Sequence, residues 1–356
     1  MKLIETKNAV GYVLCHDLTR IVPGEFKGAQ FRKGHIVTED DILMLLSMGK
    51  EHLYVWEMEP GMLHENDAAE RLCRICKNDN MTRSGVKEGK IELKAACDGL
   101  FRVNVEKLNA INMIDELMIA TRHSDTPVHT GDKLCGTRVI PLIIKEEKLD
   151  AADRAAGGAP ILELLPYKLK TAAVITTGSE VAGGRIQDTF TPILEKKLGQ
   201  YGIAMTEHVT VGDDLETVAA AIAAIREKKT DCILCTGGMS VDPDDNTPGA
   251  IKKSGADIVS YGAPVLPGAM FLLGYYPDGQ PVMGLPGCVM YAKATVFDLL
   301  MPRIAAGVRV TRQEIAQRSR SSFPRAMKRT SRPSTIFWPG RCWPLRARSA
   351  NTARQA

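Results

Sequence analysis

The chain has 356 residues, 44% of them hydrophobic and 25% charged, the profile of an ordinary globular protein with two or three domains. No apolar run reaches the ~18 residues of a membrane span, and the opening MKLIETKNAV lacks the apolar stretch of a signal peptide, so the nine cysteines are expected as reduced thiols in a cytoplasmic protein. The net charge of +4 misleads: no Asp or Glu follows Glu314, ten basic residues lie at or beyond Arg318, and residues 1–317 hold 36 basic against 42 acidic side chains.

Residues 1–58 read as a β-rich N-terminal segment. AVGYVLCHDL alternates Val10, Tyr12 and Leu14 as a half-buried strand would. TEDDILMLLSMG predicts a short helix, with Thr38 and the following acids at its start and Gly49 at its end. EHLYVWE is a further strand.

Residues 59–165 mix helix and strand, an α+β domain with a linker. NDAAERLCRICK reads as helix, GKIELKAACDGLFRVN as paired strands about Asp98–Gly99, and VEKLNAINMIDELMIAT as one helix through Leu108, Ile111, Ile114 and Leu117. GDKLCGTRVIPLII is a turn and strand, and DAADRAAGGAP, small and glycine-rich, reads as the linker.

Residues 166–310 alternate strands (KTAAVITTG, IAMTEHVTV, TDCILCTGG, QPVMGLPG) with helices (TPILEKKLGQYG, LETVAAAIAAIREKK, NTPGAIKKSG, YAKATVFDLLMPRIAAG). That alternation predicts an α/β domain whose parallel sheet is covered on both faces. Residues 311–356 form a basic tail with Trp338 and Trp343 and no hydrophobic period. It reads as a disordered or miscoded extension rather than a nucleic-acid arm.

Ligands of open parallel sheets bind beyond the carboxyl ends of the strands, which selects the loops TTGSEVAGGR, VGDD, CTGGMSVDPDD and GLPG. Glycines there let backbone N–H groups approach a phosphate, and Ser240 adds a hydroxyl. Glu180, Asp188, Asp213, Asp214 and Asp245 gather at the same edge. Carboxylates beside a phosphate cradle suit Mg²⁺, which takes oxygen ligands and bridges substrate phosphates; solvated turns and helix caps are the plainer reading. Cys73 and Cys76 have zinc-like spacing but no second pair, and read as half-buried helix residues. The seven histidines form no metal spacing and receive no catalytic role.

The ordered set TTGSEV, GGRIQDT, VTVGDD, CTGGMSVDPDD, PVLPGAM and GLPG, over residues 171–290, resembles the molybdopterin-binding domain of the molybdopterin adenylyltransferase and molybdopterin molybdenumtransferase families. VGYVLCHDL, KGHIV and GDKLCGTRVIPL more loosely resemble the molybdenumtransferase N-terminal region, extending the likeness to about residues 1–310. The resemblance implies a three-layer α/β domain in molybdenum cofactor biosynthesis. It implies Glu180, Asp188 and Asp245 as catalytic acids and Asp188 and Asp245 as Mg²⁺ ligands. It places Thr177, Gly178, Gly237, Gly238, Ser240, Pro286 and Gly287 around the pterin phosphate. A homodimer and other molybdenum cofactor enzymes are the implied partners, without membrane or nucleic acid.

Two departures bear on the activity. Ser179 stands where that family commonly has an acid, and Leu266 and Ala269 stand where lysines flank Pro-Gly. Lysines are natural partners of an oxyanion such as molybdate. Three readings follow: an enzyme that hydrolyses adenylylated molybdopterin with Mg²⁺ and inserts molybdate; a non-catalytic molybdopterin carrier or sensor; and a hydrolase similar to the dinucleotide pyrophosphatase-like domain of competence-damage-inducible proteins, which shares GG…DDxT.

Overall fold

The computed structural model describes residues 2–22, 26–55, 60–240, 242 and 245–318. The expected tail from residue 319, with Trp338 and Trp343, and Asp244 lie outside the described residues.

Near the N-terminus, Leu18–Val22 pairs with Phe26–Phe31 and Lys2–Glu5 with His52–Val55, both antiparallel. The predicted helix is present as Glu39–Ser47, started by a reciprocal Thr38–Asp41 capping box. Leu14, Leu18, Phe31, Leu45, Leu53 and Val55 pack together under it. The strand expected over AVGYVLCHDL does not form: Val13 and Leu14 make single bridges only, and Val10 is exposed.

The middle of the chain departs from its sequence reading in three places. Lys90–Ala95 and Gly99–Val103 do not pair with each other; the first lies in a four-stranded antiparallel sheet and the second in a three-stranded one. Gly99 runs against Leu165, where an added Cβ would meet the carbonyl oxygen at 2.3 Å. The long helix expected from Val105 stops at Asn112, and Leu117–Thr121 is a strand. The expected linker begins inside the helix Glu146–Ala156, which buries Leu149, Ala152 and Ala156 and ends on Gly157 in the left-handed conformation.

The C-terminal region is a three-layer α/β arrangement with a six-stranded, mainly parallel sheet. Across the sheet the strands run Ala204–Val211, Thr171–Thr177, Cys232–Thr236, Pro281–Leu285, Leu272–Tyr275 and Asp257–Tyr261. The first four are mutually parallel; the last two form an antiparallel edge that the βα alternation did not predict.

Alternate residues of the central strands face opposite layers. Ala172, Val174, Cys232, Leu234 and Met283 pack on helices Thr191–Gly199 and Val296–Ala305 through Leu194, Leu198, Phe297 and Leu300. Ala173, Ile175, Ile233, Cys235 and Val282 pack on Leu215–Glu227 and Thr247–Lys253 through Val218, Ile222 and Ile251. Burial on both faces is why these strands read as continuous apolar runs. The last expected helix starts at Val296 rather than at Tyr291, behind a Thr295–Asp298 capping box. A further helix, Arg312–Gln317, with buried Ile315, occupies the start of the expected tail. Among the described residues no helix is long and apolar enough to cross a membrane.

Candidate functional site

Because four strands run parallel, their carboxyl ends and the segments 178–190, 212–214, 237–240, 245–246 and 286–290 lie along one sheet edge. The loop after Cys232–Thr236 is shaped by two glycines. Gly237 has φ 86°, and a Cβ there would lie 2.2 Å from the Thr177 carbonyl oxygen. Gly238 has φ 53°, and its Cβ would lie 2.9 Å from Thr247 Oγ1. Only glycine fits such left-handed, crowded positions.

Thr247 holds this loop from behind. Its hydroxyl donates to the Gly237 carbonyl at 2.9 Å and its N–H to the Gly238 carbonyl at 3.3 Å. In a planar trans peptide the N–H points opposite the carbonyl. Anchoring these two carbonyls therefore turns the N–H groups of Gly238 and Met239 away from Thr247, and among the described residues nothing accepts from either. Beneath them the Met239 side chain lies against Gly284, leaving no room for a Cβ. The Ser240 hydroxyl is exposed and bonded to no described group. At the second expected loop, Gly287 has nothing within 4 Å of an added Cβ, and the N–H groups of Gly287 and Cys288 stand at the start of a single 3₁₀ turn.

The acids differ sharply in what they already hold. Both oxygens of Asp188 are engaged: Oδ1 accepts from the N–H groups of Phe190 (2.8 Å) and Thr191 (3.1 Å), and Oδ2 from the hydroxyls of Thr191 (2.6 Å) and Thr176 (3.1 Å). His208 Nε2 lies 3.2 Å from the same Oδ2. Burial raises the Asp188 pKa, but the Thr191, Phe190 and Thr176 bonds outweigh it and hold the carboxyl below its usual range. His208 Nε2 lies 3.1 Å from each of these two threonine hydroxyls and closes the cluster on its strand side.

Asp245 is less occupied. Its Oδ2 accepts from the Ser240 N–H at 2.7 Å, and its Oδ1 has no partner among the described residues. Glu180 is exposed and its carboxylate is bonded to no described group. Asp214 caps the helix Leu215–Glu227 by accepting from the Thr217 N–H. Asp213 accepts from the Ser179 hydroxyl, which lowers its pKa, and its carbonyl accepts from the Asn246 amide at 3.0 Å. Ser179, read in the sequence as a lost carboxylate, thus brings a neighbouring one to the same rim.

Several expectations change as a result. Thr177, expected at the ligand, is buried, and its hydroxyl lies 3.1 Å from the Thr236 carbonyl, to which it donates, and 3.2 Å from the Thr247 hydroxyl; it wedges the loop. Gly178 forms the turn into the short helix Ser179–Ala182. Asp188, expected at a metal, accepts hydrogen bonds on both oxygens, from Phe190 and Thr191 on one and from Thr191 and Thr176 on the other. Among the described residues no group of three or more His, Cys, Asp or Glu side chains is arranged to hold a metal ion. Thr176 and His208 on strands and Thr191 and Thr247 at helix starts are not among the expected site residues, because isolated hydroxyls and a single histidine carry no motif.

Residues 173–306 match the family model described as "Probable molybdopterin binding domain", and residues 3–57 match that of a domain of unknown function. A CinA-like protein of Desulfosudis oleivorans is 37% identical over 83 residues, 23% of this chain and 20% of that protein. The molybdopterin molybdenumtransferase of Synechococcus elongatus is 27% identical over 181 residues, 47% of this chain and 44% of that protein. The chain spans about a fifth of the length of the first curated relatives it matches. The solved structure of the protein CinA from Thermoplasma acidophilum aligns with a TM-score of 0.33 and 20% identity, over 38% of this chain and 98% of that one.

Proposed function

We propose that this sheet edge, within the region similar to a probable molybdopterin binding domain, binds molybdopterin or its adenylylated form through the phosphate and hydrolyses the phosphate anhydride. The supporting observation is the loop Gly237–Ser240: the carbonyls of Gly237 and Gly238 are tied back to Thr247, and the N–H groups of Gly238 and Met239 and the Ser240 hydroxyl are donors for an anion. Pro286 and Gly287 offer a second open backbone approach on the next parallel strand.

The residues present fit a divalent cation on one side of this cradle only. Asp245 has a free oxygen and Glu180 a free carboxylate, whereas Asp188 is spent on Thr176, Phe190 and Thr191. One or two carboxylates completed by substrate phosphate and water is the ordinary arrangement for Mg²⁺, which when bound neutralises developing phosphate charge. Asp245 and Glu180 would hold it. Asp188 instead fixes the start of the helix Thr191–Gly199 and the loop before it.

The experiment is incubation of the full chain with adenylylated molybdopterin, Mg²⁺ and molybdate, followed by mass analysis of bound and released species. AMP release that falls by two or more orders of magnitude in Asp245→Ala, with wild-type folding, is expected; unchanged release in that variant refutes the assignment. A carrier or sensor role is the second reading. Leu266, 58% exposed, and Ala269 provide no charge to an oxyanion. Tight molybdopterin binding without AMP release would establish that role.

A further inference from the structure

The antiparallel edge of the sheet is not needed to form the βα layers, yet its last residue reaches the cradle. The Tyr261 hydroxyl lies 3.2 Å from the Met239 carbonyl and 3.1 Å from the Ser240 carbonyl. The Met239–Ser240 peptide is therefore held at both ends. Its carbonyl shares the single Tyr261 hydroxyl proton with the Ser240 carbonyl, and its N–H donates to Asp245 Oδ2 at 2.7 Å. Because the peptide is planar, fixing the carbonyl fixes the direction of the N–H, and with it the position of the Asp245 carboxylate.

We propose that Tyr261 is a positioning residue of this site, acting through the Met239–Ser240 peptide to hold Asp245 and the loop Gly237–Ser240 in the geometry that receives a phosphate. The proposal rests on the phosphate-cradle reading above and adds to it the reason for the antiparallel edge. The preceding peptides are tied to Thr247, on the helix behind the loop. Tyr261 supplies the only hydroxyl among the described residues that reaches the two that follow. Tyr261 is 44% exposed as a residue and lies outside the buried cores, so removing its oxygen disturbs no core packing.

The test is Tyr261→Phe in the full chain. Protection of the Ser240 amide from hydrogen exchange, followed by NMR, is expected to fall about three- to tenfold, the range set by one hydrogen bond. The melting temperature is expected to stay within a degree or two of wild type. In calorimetry, binding of molybdopterin is expected to weaken by a similar factor, while binding of the same pterin without its phosphate stays unchanged. A merely structural role would weaken both ligands equally or neither. Equal weakening, or unchanged Ser240 exchange, overturns the proposal. Failure of wild type to bind molybdopterin would end the functional reading instead, and the exchange measurement still decides whether Tyr261 holds the peptide.

Discussion

The two glycines proposed to approach the ligand, Gly237 and Gly287, offer a matched pair of alanine substitutions with opposite expected outcomes. At Gly237 the backbone has φ 86°, which costs a residue with a Cβ about 1–2 kcal/mol. The new methyl would also sit 2.2 Å from the Thr177 carbonyl oxygen and 2.7 Å from its hydroxyl. Neither atom can swing aside: Thr177 lies in the central sheet and its hydroxyl is bonded to Thr236. Overpacking of this kind adds about 1–3 kcal/mol. Gly237→Ala should therefore lose about 2–5 kcal/mol of stability in urea titration monitored by circular dichroism. Gly287 has no positive φ and nothing within 4 Å of a new Cβ, so Gly287→Ala should change stability by less than about 0.5 kcal/mol. If a ligand backbone approach occurs there, the same Gly287 variant should weaken molybdopterin binding in calorimetry despite its intact fold. A stable Gly237→Ala protein would refute the packing argument, and a destabilised Gly287→Ala protein would refute the contrast.

Asp188→Asn should cost about 1–3 kcal/mol at neutral pH, because the amide returns one donor to a site built of donors. The folded pKa of Asp188 lies below its unfolded value, so its contribution is complete above roughly pH 4 and is lost as pH falls through the lowered value. Urea midpoints measured between neutral and acid pH should therefore converge for wild type and variant at the acid end; parallel curves would contradict the assignment. Arg303 is 5% exposed, pairs with Asp125 at 2.9 Å and also with Glu314, and joins the helix Val296–Ala305 to the turn at Asp125. Arg303→Ala removes the buried cation but leaves Asp125 paired with Arg318 and Glu314 bonded to Thr311, and should cost about 1–3 kcal/mol by the same titration; a loss under about 0.5 kcal/mol would show that Arg318 and solvent replace it fully.

Where the sequence was readable, one local signal and one tertiary outcome agreed. The strands Thr171–Thr177 and Cys232–Thr236 announce themselves as apolar runs ended by glycine, and both faces are in fact covered. Misreadings occurred where a side chain redirected a periodic pattern. VEKLNAINMIDELMIAT keeps helical spacing to its end, but Asn112 donates to the Ile119 carbonyl and accepts from its N–H, both at 2.9 Å, while Glu116 takes φ 75°. Those bonds fold the chain back into a strand, a competition that asparagine commonly wins over helix. In DAADRAAGGAP the small residues suggested a loop. Leu149, Ala152 and Ala156 nonetheless share a buried face, and Arg71 reaches across to Asp150 and Asp153. The edge strand Asp257–Tyr261 has only Ile258 and Val259 as an apolar pair, too short a run to announce a strand, and takes its place by pairing with Leu272–Tyr275.

The site shows the same division at the scale of single oxygens. Sequence position brought Glu180, Asp188 and Asp245 to one edge and could not rank them, because motif spacing locates a carboxylate without showing how its lone pairs are spent. Hydrogen bonds do rank them. Asp188 accepts from Thr176, Phe190 and Thr191, so its charge is stabilised by the protein's own donors and both of its oxygens are already engaged. Asp245 uses one oxygen to orient the Met239–Ser240 peptide and keeps the other open. A carboxylate in that state can hold a loop and meet a ligand at the same time. Tyr261 grips the opposite end of that peptide and acts on the ligand only through it, so its loss is expected to cost about three- to tenfold in binding, well short of the loss of activity expected on removing the acid itself.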